Sequence, residues 1–180
     1  MEQLAFLKRE GQGEALDGTP DEVPEITHGD LVVRAARWLR NSRKCGVVLA
    51  ETPSFQAEIP DAIGWCGGSC SILVECKAAR ADFLSDKRKT FRRCPERGMG
   101  IYRFYLAPPG IIQVDELPEF WGLLECRPTM IKVRKPAMPV SFDRLEMMRR
   151  ERILLYRALS RVQLYGRTSL EGGGLNIPST

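Results

Sequence analysis

The chain has 180 residues, 43% of them apolar and 28% charged, with a formal net charge of +4. That length suits one domain with a proper core plus appended arms, and the mild basicity permits a polyanionic partner without requiring one. No apolar run approaches the length that crosses a bilayer and the N-terminus has no basic-then-apolar leader pattern, so the expectation is a cytoplasmic protein with no membrane partner. Residues 1–26 carry Gly11, Gly13, Gly18, Pro20, Pro24 and many acids, and read as a flexible arm. Thr27 to Asp30 then offer helix caps. Leu31, Val32, Ala35, Trp38 and Leu39 recur at helical spacing, with Arg34, Arg37 and Arg40 between them, which predicts a first helix ending near Ser42. Residues 45–50 form a short β-branched run, a strand that delivers Glu51 at its end.

Residues 58–77 are the most informative stretch. Two apolar runs flank the turn Cys66-Gly67-Gly68-Ser69-Cys70, which predicts a β-hairpin. Asp61 opens the first strand, and Glu75 and Lys77 close the second. Strand side chains alternate, so Glu75 and Lys77 share a face, and the hairpin brings Asp61 beside them. Two carboxylates and an ammonium at one spot can hold a hard divalent cation and orient an attacking water. The competing reading is a salt-bridge cluster at a hairpin end.

Residues 78–92 read as a helix stopped by Pro95 and Gly98, and 101–107 as a strand ended by Pro108-Pro109-Gly110. Two short strands follow at 121–127 and 130–134. A long helix covers roughly 142–165, with Leu145, Met148, Ile153, Tyr156 and Leu159 as its apolar stripe and Glu146 and Glu151 available to pair with its arginines. The tail, with Gly172-Gly173-Gly174, reads as loose. The domain expectation is therefore a flexible arm at 1–26, an α/β domain at 27–140, a basic helix at 141–166 packed on or extending from it, and a flexible tail at 167–180. The order helix, strand, strand, strand, helix, strand predicts an α/β fold with a mixed central sheet flanked by helices.

Pro60-Asp61 followed by Glu75-Cys76-Lys77, in that setting, resembles the PD-(D/E)XK nuclease superfamily, whose core is restriction-endonuclease-like. Pro60-Asp61-Ala62-Ile63, the run 74–83 containing Ala81-Asp82-Phe83, then Asp86-Lys87 and the run 102–108 look like its MmcB-like DNA repair branch. The resemblance covers roughly residues 27–110, with the run 116–125 also similar, and leaves the long arginine-rich helix outside. It implies a Mg2+-dependent DNA endonuclease, with Mn2+ as a substitute, acting in DNA repair or processing. Asp61, Glu75 and the backbone carbonyl of Cys76 would be metal ligands, and Lys77 would orient water or stabilise the transition state. Glu51 is the first choice for the further acid of such sites, ahead of Glu58 and then Asp30. A catalytically inactive nucleic-acid-binding or regulatory protein on the same fold is the alternative.

Arg80, Lys87, Arg88, Lys89, Arg92 and Arg93 form a basic patch just beyond this site, with Lys87 the first choice for a DNA backbone contact and a solvated helix face as the competing reading. The arginine-rich C-terminal helix could meet DNA or a protein partner, and a homodimer remains open. His28, the single histidine, is assigned to capping or solvent. The six cysteines are expected as reduced thiols, with a metal at Cys66 and Cys70 conceivable only if Cys45 or Cys94 folds nearby.

Overall fold

A computed structural model describes residues 26–52, 59–67, 70–89, 92, 94–142 and 144–165. The expectations for the N-terminal arm, the tail, Glu58 and Arg93 therefore lie outside the described residues, apart from Ile26. The first helix, α1 (His28–Asn41), begins with the Thr27 hydroxyl accepting from the Asp30 amide while the Asp30 carboxylate accepts from the Thr27 amide. This reciprocal cap satisfies two donors that a helix start leaves unpaired. Leu31, Val32, Ala35, Trp38 and Leu39 are buried, one face at helical spacing.

Six strands follow: β1 (Val47–Ala50), β2 (Ala62–Trp65), β3 (Ser71–Cys76), β4 (Tyr102–Ala107), β5 (Trp121–Cys126) and β6 (Ile131–Lys135). They form one sheet in sequence order. The β1–β2, β2–β3 and β5–β6 pairs are antiparallel; β3–β4 and β4–β5 are parallel. Every residue of β3 is buried, because a central strand covered on both sides needs a near-continuous apolar run. The β6 edge instead exposes Lys132 and Arg134, charges that discourage edge-to-edge pairing. Near the start of β5, a side chain on Gly122 would lie 2.4 Å from the Phe104 ring and 2.7 Å from the Ala137 amide, so only glycine lets these layers close.

The sheet has helices on both faces, as expected. On one face α1 packs over Val48, Ala62, Ile72, Val74, Phe104 and Leu106, with Trp38 edge-on to Phe104 at 5.5 Å. On the other, α2 (Arg80–Asp86) contributes Phe83, and α3 (Leu145–Tyr165) contributes Leu154 and Ala158, against Leu49, Ile63, Leu73, Tyr105 and Leu123. Burying each of these large side chains is worth roughly 1.5–3 kcal/mol.

Two elements differ from the sequence reading. α2 stops at Asp86 instead of running on to Arg92: Arg88 and Lys89 donate to the carbonyls three residues back, a tightening that ends the helix. Four of the five residues of the expected stripe of α3 face outward, Leu145, Met148, Tyr156 and Leu159 being between 57% and 72% exposed, while Ile153 is half-buried. The inward face is Met147, Glu151, Leu154 and Ala158. Glu151 sets that rotation. Its carboxylate accepts from Trp65 Nε1 at 3.0 Å, Ser71 Oγ at 2.8 Å and the Gly100 amide at 2.8 Å, and it pairs with no arginine among these contacts.

Candidate active site

The register of β2 and β3 sets Ala62 against Val74, so Asp61 enters the pairing opposite Glu75. Ile63, Leu73 and Tyr105 belong to the core under α2 and α3, and by alternation Asp61, Glu75 and Lys77 lie on that same face. Asp61 Oδ2 accepts from the Cys76 amide at 2.7 Å, which pins the carboxylate across the strand end. Lys77 donates its own amide to Leu106, extending the β3–β4 ladder by one step and fixing where its side chain departs.

Lys77 Nζ lies 3.2 Å from Glu75 Oε2 and 3.2 Å from Asp86 Oδ1. Arg92 Nη2 lies 3.0 Å from the same Glu75 oxygen, and Arg92 Nε 2.6 Å from Asp86 Oδ2. Lys89 Nζ adds a contact of 2.8 Å to Asp86, and the Tyr105 hydroxyl donates to Asp86 at 2.7 Å. Asp86 and Arg92 were not assigned to the site by the sequence; Asp86 is wholly buried and the Arg92 side chain is 2% exposed. Arg92 was read as a DNA-contacting surface cation. The buried carboxylates of Glu75 and Asp86 draw its guanidinium inward instead, since a charge in the interior requires a partner.

The electrostatics follow from these contacts. Burial tends to raise Asp86, but Arg92, Lys77, Lys89 and Tyr105 hold its carboxyl well below the usual range. Burial would lower the Lys77 ammonium, yet Glu75, Asp86 and Asp61 outweigh it and the net shift is upward. Lys77 is therefore a fixed positive charge, suited to stabilising negative charge and unsuited to taking a proton. Asp61 moves the other way. Burial and the repulsion of Glu75 push it up to about 6, against the opposing pull of the Cys76 amide and Lys77.

At the rim, His28 Nε2 lies 3.5 Å from Glu51 Oε1 and 3.6 Å from Asp61 Oδ1. The imidazole thus joins Glu51, whose side chain is 59% exposed, to the site's first acid, a role beyond the capping or solvent one expected from sequence. Asp30 is engaged in its cap with Thr27. A cleft of about 360 Å3 opens here, lined by His28, Asp61, Cys76, Lys77, Asp82, Ser85 and Lys89. Among the basic residues, Lys87, Arg88 and Lys89 are exposed, with the Lys87 ammonium over the Phe83 ring. Arg80 is held by a bidentate pair with Glu116 and by the Ile111 carbonyl.

Among the described residues, no three His, Cys, Asp or Glu side chains are arranged to hold a metal ion. Magnesium does not need them: it binds through one or two carboxylates and keeps several waters. Glu75 Oε1 is buried and receives no hydrogen bond among the described residues. This unsatisfied oxygen neighbours Asp61, which lines the cleft, and carboxylate and carbonyl oxygens such as those of Glu75, Asp61 and Cys76 are the donors a hydrated hard cation takes.

A solved structure, the SPO1766 protein of unknown function from Silicibacter pomeroyi, is similar to this chain. It aligns over 85% of this chain and 99% of its own length with a TM-score of 0.58, at 21% identity. The likeness is one of fold. No family model and no curated protein matches the sequence.

Proposed function

We propose that this chain is a Mg2+-dependent DNA nuclease of the PD-(D/E)XK type, acting in DNA repair or processing in the cytoplasm. The observation that carries this reading is the bare, buried Glu75 Oε1 beside Asp61, with Asp61 and Lys77 lining one cleft. Three charged groups inside an interior strand end need a reason, and a metal-assisted phosphodiester site supplies one.

Asp61, Glu75 and the Cys76 carbonyl would hold the cation, which when bound lowers the pKa of a coordinated water and offsets charge on the phosphate. Hydrolysis joins a water oxygen to phosphorus and breaks the bond from phosphorus to the leaving sugar oxygen. Lys77, kept charged by Glu75 and Asp86, stabilises the negative charge that builds on the phosphoryl oxygens. Asp86 and Arg92 position Lys77 and Glu75. Exposed Lys87, Arg88 and Lys89 meet the phosphates on either side.

The test is cleavage of supercoiled plasmid, single strands and branched DNA in Mg2+ or Mn2+, with Lys77→Ala and Asp61→Ala alongside. Loss of cleavage in both variants supports the assignment, and cleavage surviving both removes it. A second reading, a DNA-binding protein without catalysis, is favoured by one feature: Glu75 Oε2 is already engaged by Lys77 and Arg92. Salt-sensitive DNA binding, unaffected by chelator and unaccompanied by cleavage, would select it.

A further inference from the structure

We propose that Cys45, Cys66 and Cys70 form a thiol site that responds to hydrogen peroxide, with oxidation closing a Cys45–Cys66 disulfide. The inference is independent of the nuclease reading and rests on a different part of the sheet. Cys45 lies on the connection between α1 and β1, and Cys66 just beyond the end of β2. The Gly46 amide donates to the Trp65 carbonyl at 3.0 Å, which sets the two chain segments side by side. The two sulfurs are 2.8 Å apart. The turn after β2 brings the third thiol in: the Cys66 amide donates to the Cys70 carbonyl at 2.9 Å, and the Cys70 and Cys66 thiols share a hydrogen bond. Cys66 is thus the pivot of the group. A side chain on Gly64 would lie 2.8 Å from the Cys45 sulfur, so Cys45 sits directly over β2 with no gap to fill.

Two thiolates on one tetrahedral zinc stand about 3.8 Å apart, given Zn–S bonds of about 2.3 Å. The 2.8 Å approach is shorter than that, and it favours bond formation between the sulfurs over shared ligation. The division of labour follows from access. Cys45 is 4% exposed and its thiol is pushed up to about 12 by burial and by Cys66, so it stays protonated and out of reach of solvent oxidants. Cys66 is half-buried and open to them. The Cys66 thiolate attacks a peroxide oxygen; the S–O bond forms, the O–O bond breaks, and the departing hydroxide takes a proton to become water. Cys45 then attacks the Cys66 sulfur, giving up its proton; the S–S bond forms, the S–O bond breaks, and a second water leaves. Two thiols lose two electrons and the peroxide gains them. The product ties the C-terminal end of α1 to the end of β2 opposite Asp61.

The test uses the full chain, reduced, desalted, treated with hydrogen peroxide and alkylated. No Lys or Arg separates Cys45 from Lys77, so a proteinase that cuts after glutamate is required; Glu51 and Glu58 divide Cys45 from Cys66. The expected result is a Cys45 peptide joined to a Cys66 peptide, about 2 Da below the sum of the free thiols and released by a thiol reductant. Cys70→Ser should keep the link, and Cys66→Ser should abolish it while leaving Cys45 unoxidised. Three results overturn the proposal: a Cys66–Cys70 loop with Cys45 free, sulfinic or sulfonic acid at Cys66 without any link, or stoichiometric zinc bound to these thiols in the protein as purified.

Discussion

Arg92 Nη2 lies 3.0 Å from Glu75 Oε2, and each side chain is 2% exposed. The same guanidinium reaches Asp86 through Nε, so one cation spans two buried acids. Removing one partner of a buried pair strands the other charge, at a cost of roughly 3–5 kcal/mol. Arg92→Met should therefore destabilise the fold by about that amount in urea unfolding. Arg92→Lys keeps the charge but not the fork that serves two carboxylates, and should recover only part of the loss. A change below about 1 kcal/mol for Arg92→Met, the range of exposed pairs, would refute the account.

Asp86 should dominate the acid limb. Its folded-state pKa is depressed, so its contribution is present above the ordinary aspartate value of about 4 and is lost as pH falls below it. Stability of the wild type should drop on acidification below about pH 4, and Asp86→Asn should flatten that drop while lowering stability at neutral pH. An unchanged slope in the variant would count against the arrangement.

Asp61 should act in the opposite sense. Its folded pKa of about 6 lies above the unfolded value, so the native state holds the proton more tightly. Stability then falls as pH rises from about 4 through about 6 and stays lower above that. Asp61→Asn keeps an acceptor for the Cys76 amide and removes the repulsion with Glu75. It should be more stable than wild type at pH 7 by up to about 3 kcal/mol, with the difference vanishing below about pH 4. Under the proposed function, Mg2+ should raise the thermal midpoint of the wild type and leave that of Asp61→Asn unchanged. A variant less stable than wild type at pH 7 would sink the electrostatic argument, whatever the metal does.

The hairpin that presents Asp61 opposite Glu75 was legible because strand alternation and a Cys/Gly/Ser turn are local signals. The helix over 28–41 was legible for the same kind of reason, a cap followed by one apolar face. Arg92 was not: in sequence it is one of several basic residues after α2, and its pairing with the buried Glu75 and Asp86 is a contact between separate elements that a basic pattern does not reveal. The approach of half-exposed His28 to Glu51 and Asp61 was not legible either, because those partners come from two other segments. The face of α3 was reversed because counting apolar residues favours Leu145, Met148, Tyr156 and Leu159, whereas the seam is fixed by a carboxylate. In each case a long-range polar contact overrode a local pattern.

That carboxylate provides the last prediction. Glu151 is 7% exposed and receives hydrogen bonds from the Trp65 indole, the Ser71 hydroxyl and the Gly100 amide; Ser71 Oγ in turn accepts from the Ile101 amide at 3.1 Å. Glu151→Leu would fill the space with an apolar group and leave two buried donors and the half-buried Trp65 indole without an acceptor, at about 1–3 kcal/mol for each buried one. Some will find water, so a loss of about 3–4 kcal/mol is expected. Glu151→Gln retains one acceptor oxygen but turns an amide NH2 toward a donor, and should fall between. Glu146, itself exposed and paired with exposed Arg149 and half-buried Arg150, is the control: Glu146→Ala should cost no more than about 1 kcal/mol. The variants should also differ in amide exchange at Gly100 and Ile101, faster in Glu151→Leu and unchanged in Glu146→Ala. Equal stabilities for Glu151→Leu and Glu146→Ala would mean that α3 is held by Met147, Leu154 and Ala158 alone, and that its rotation is not set by the buried acid.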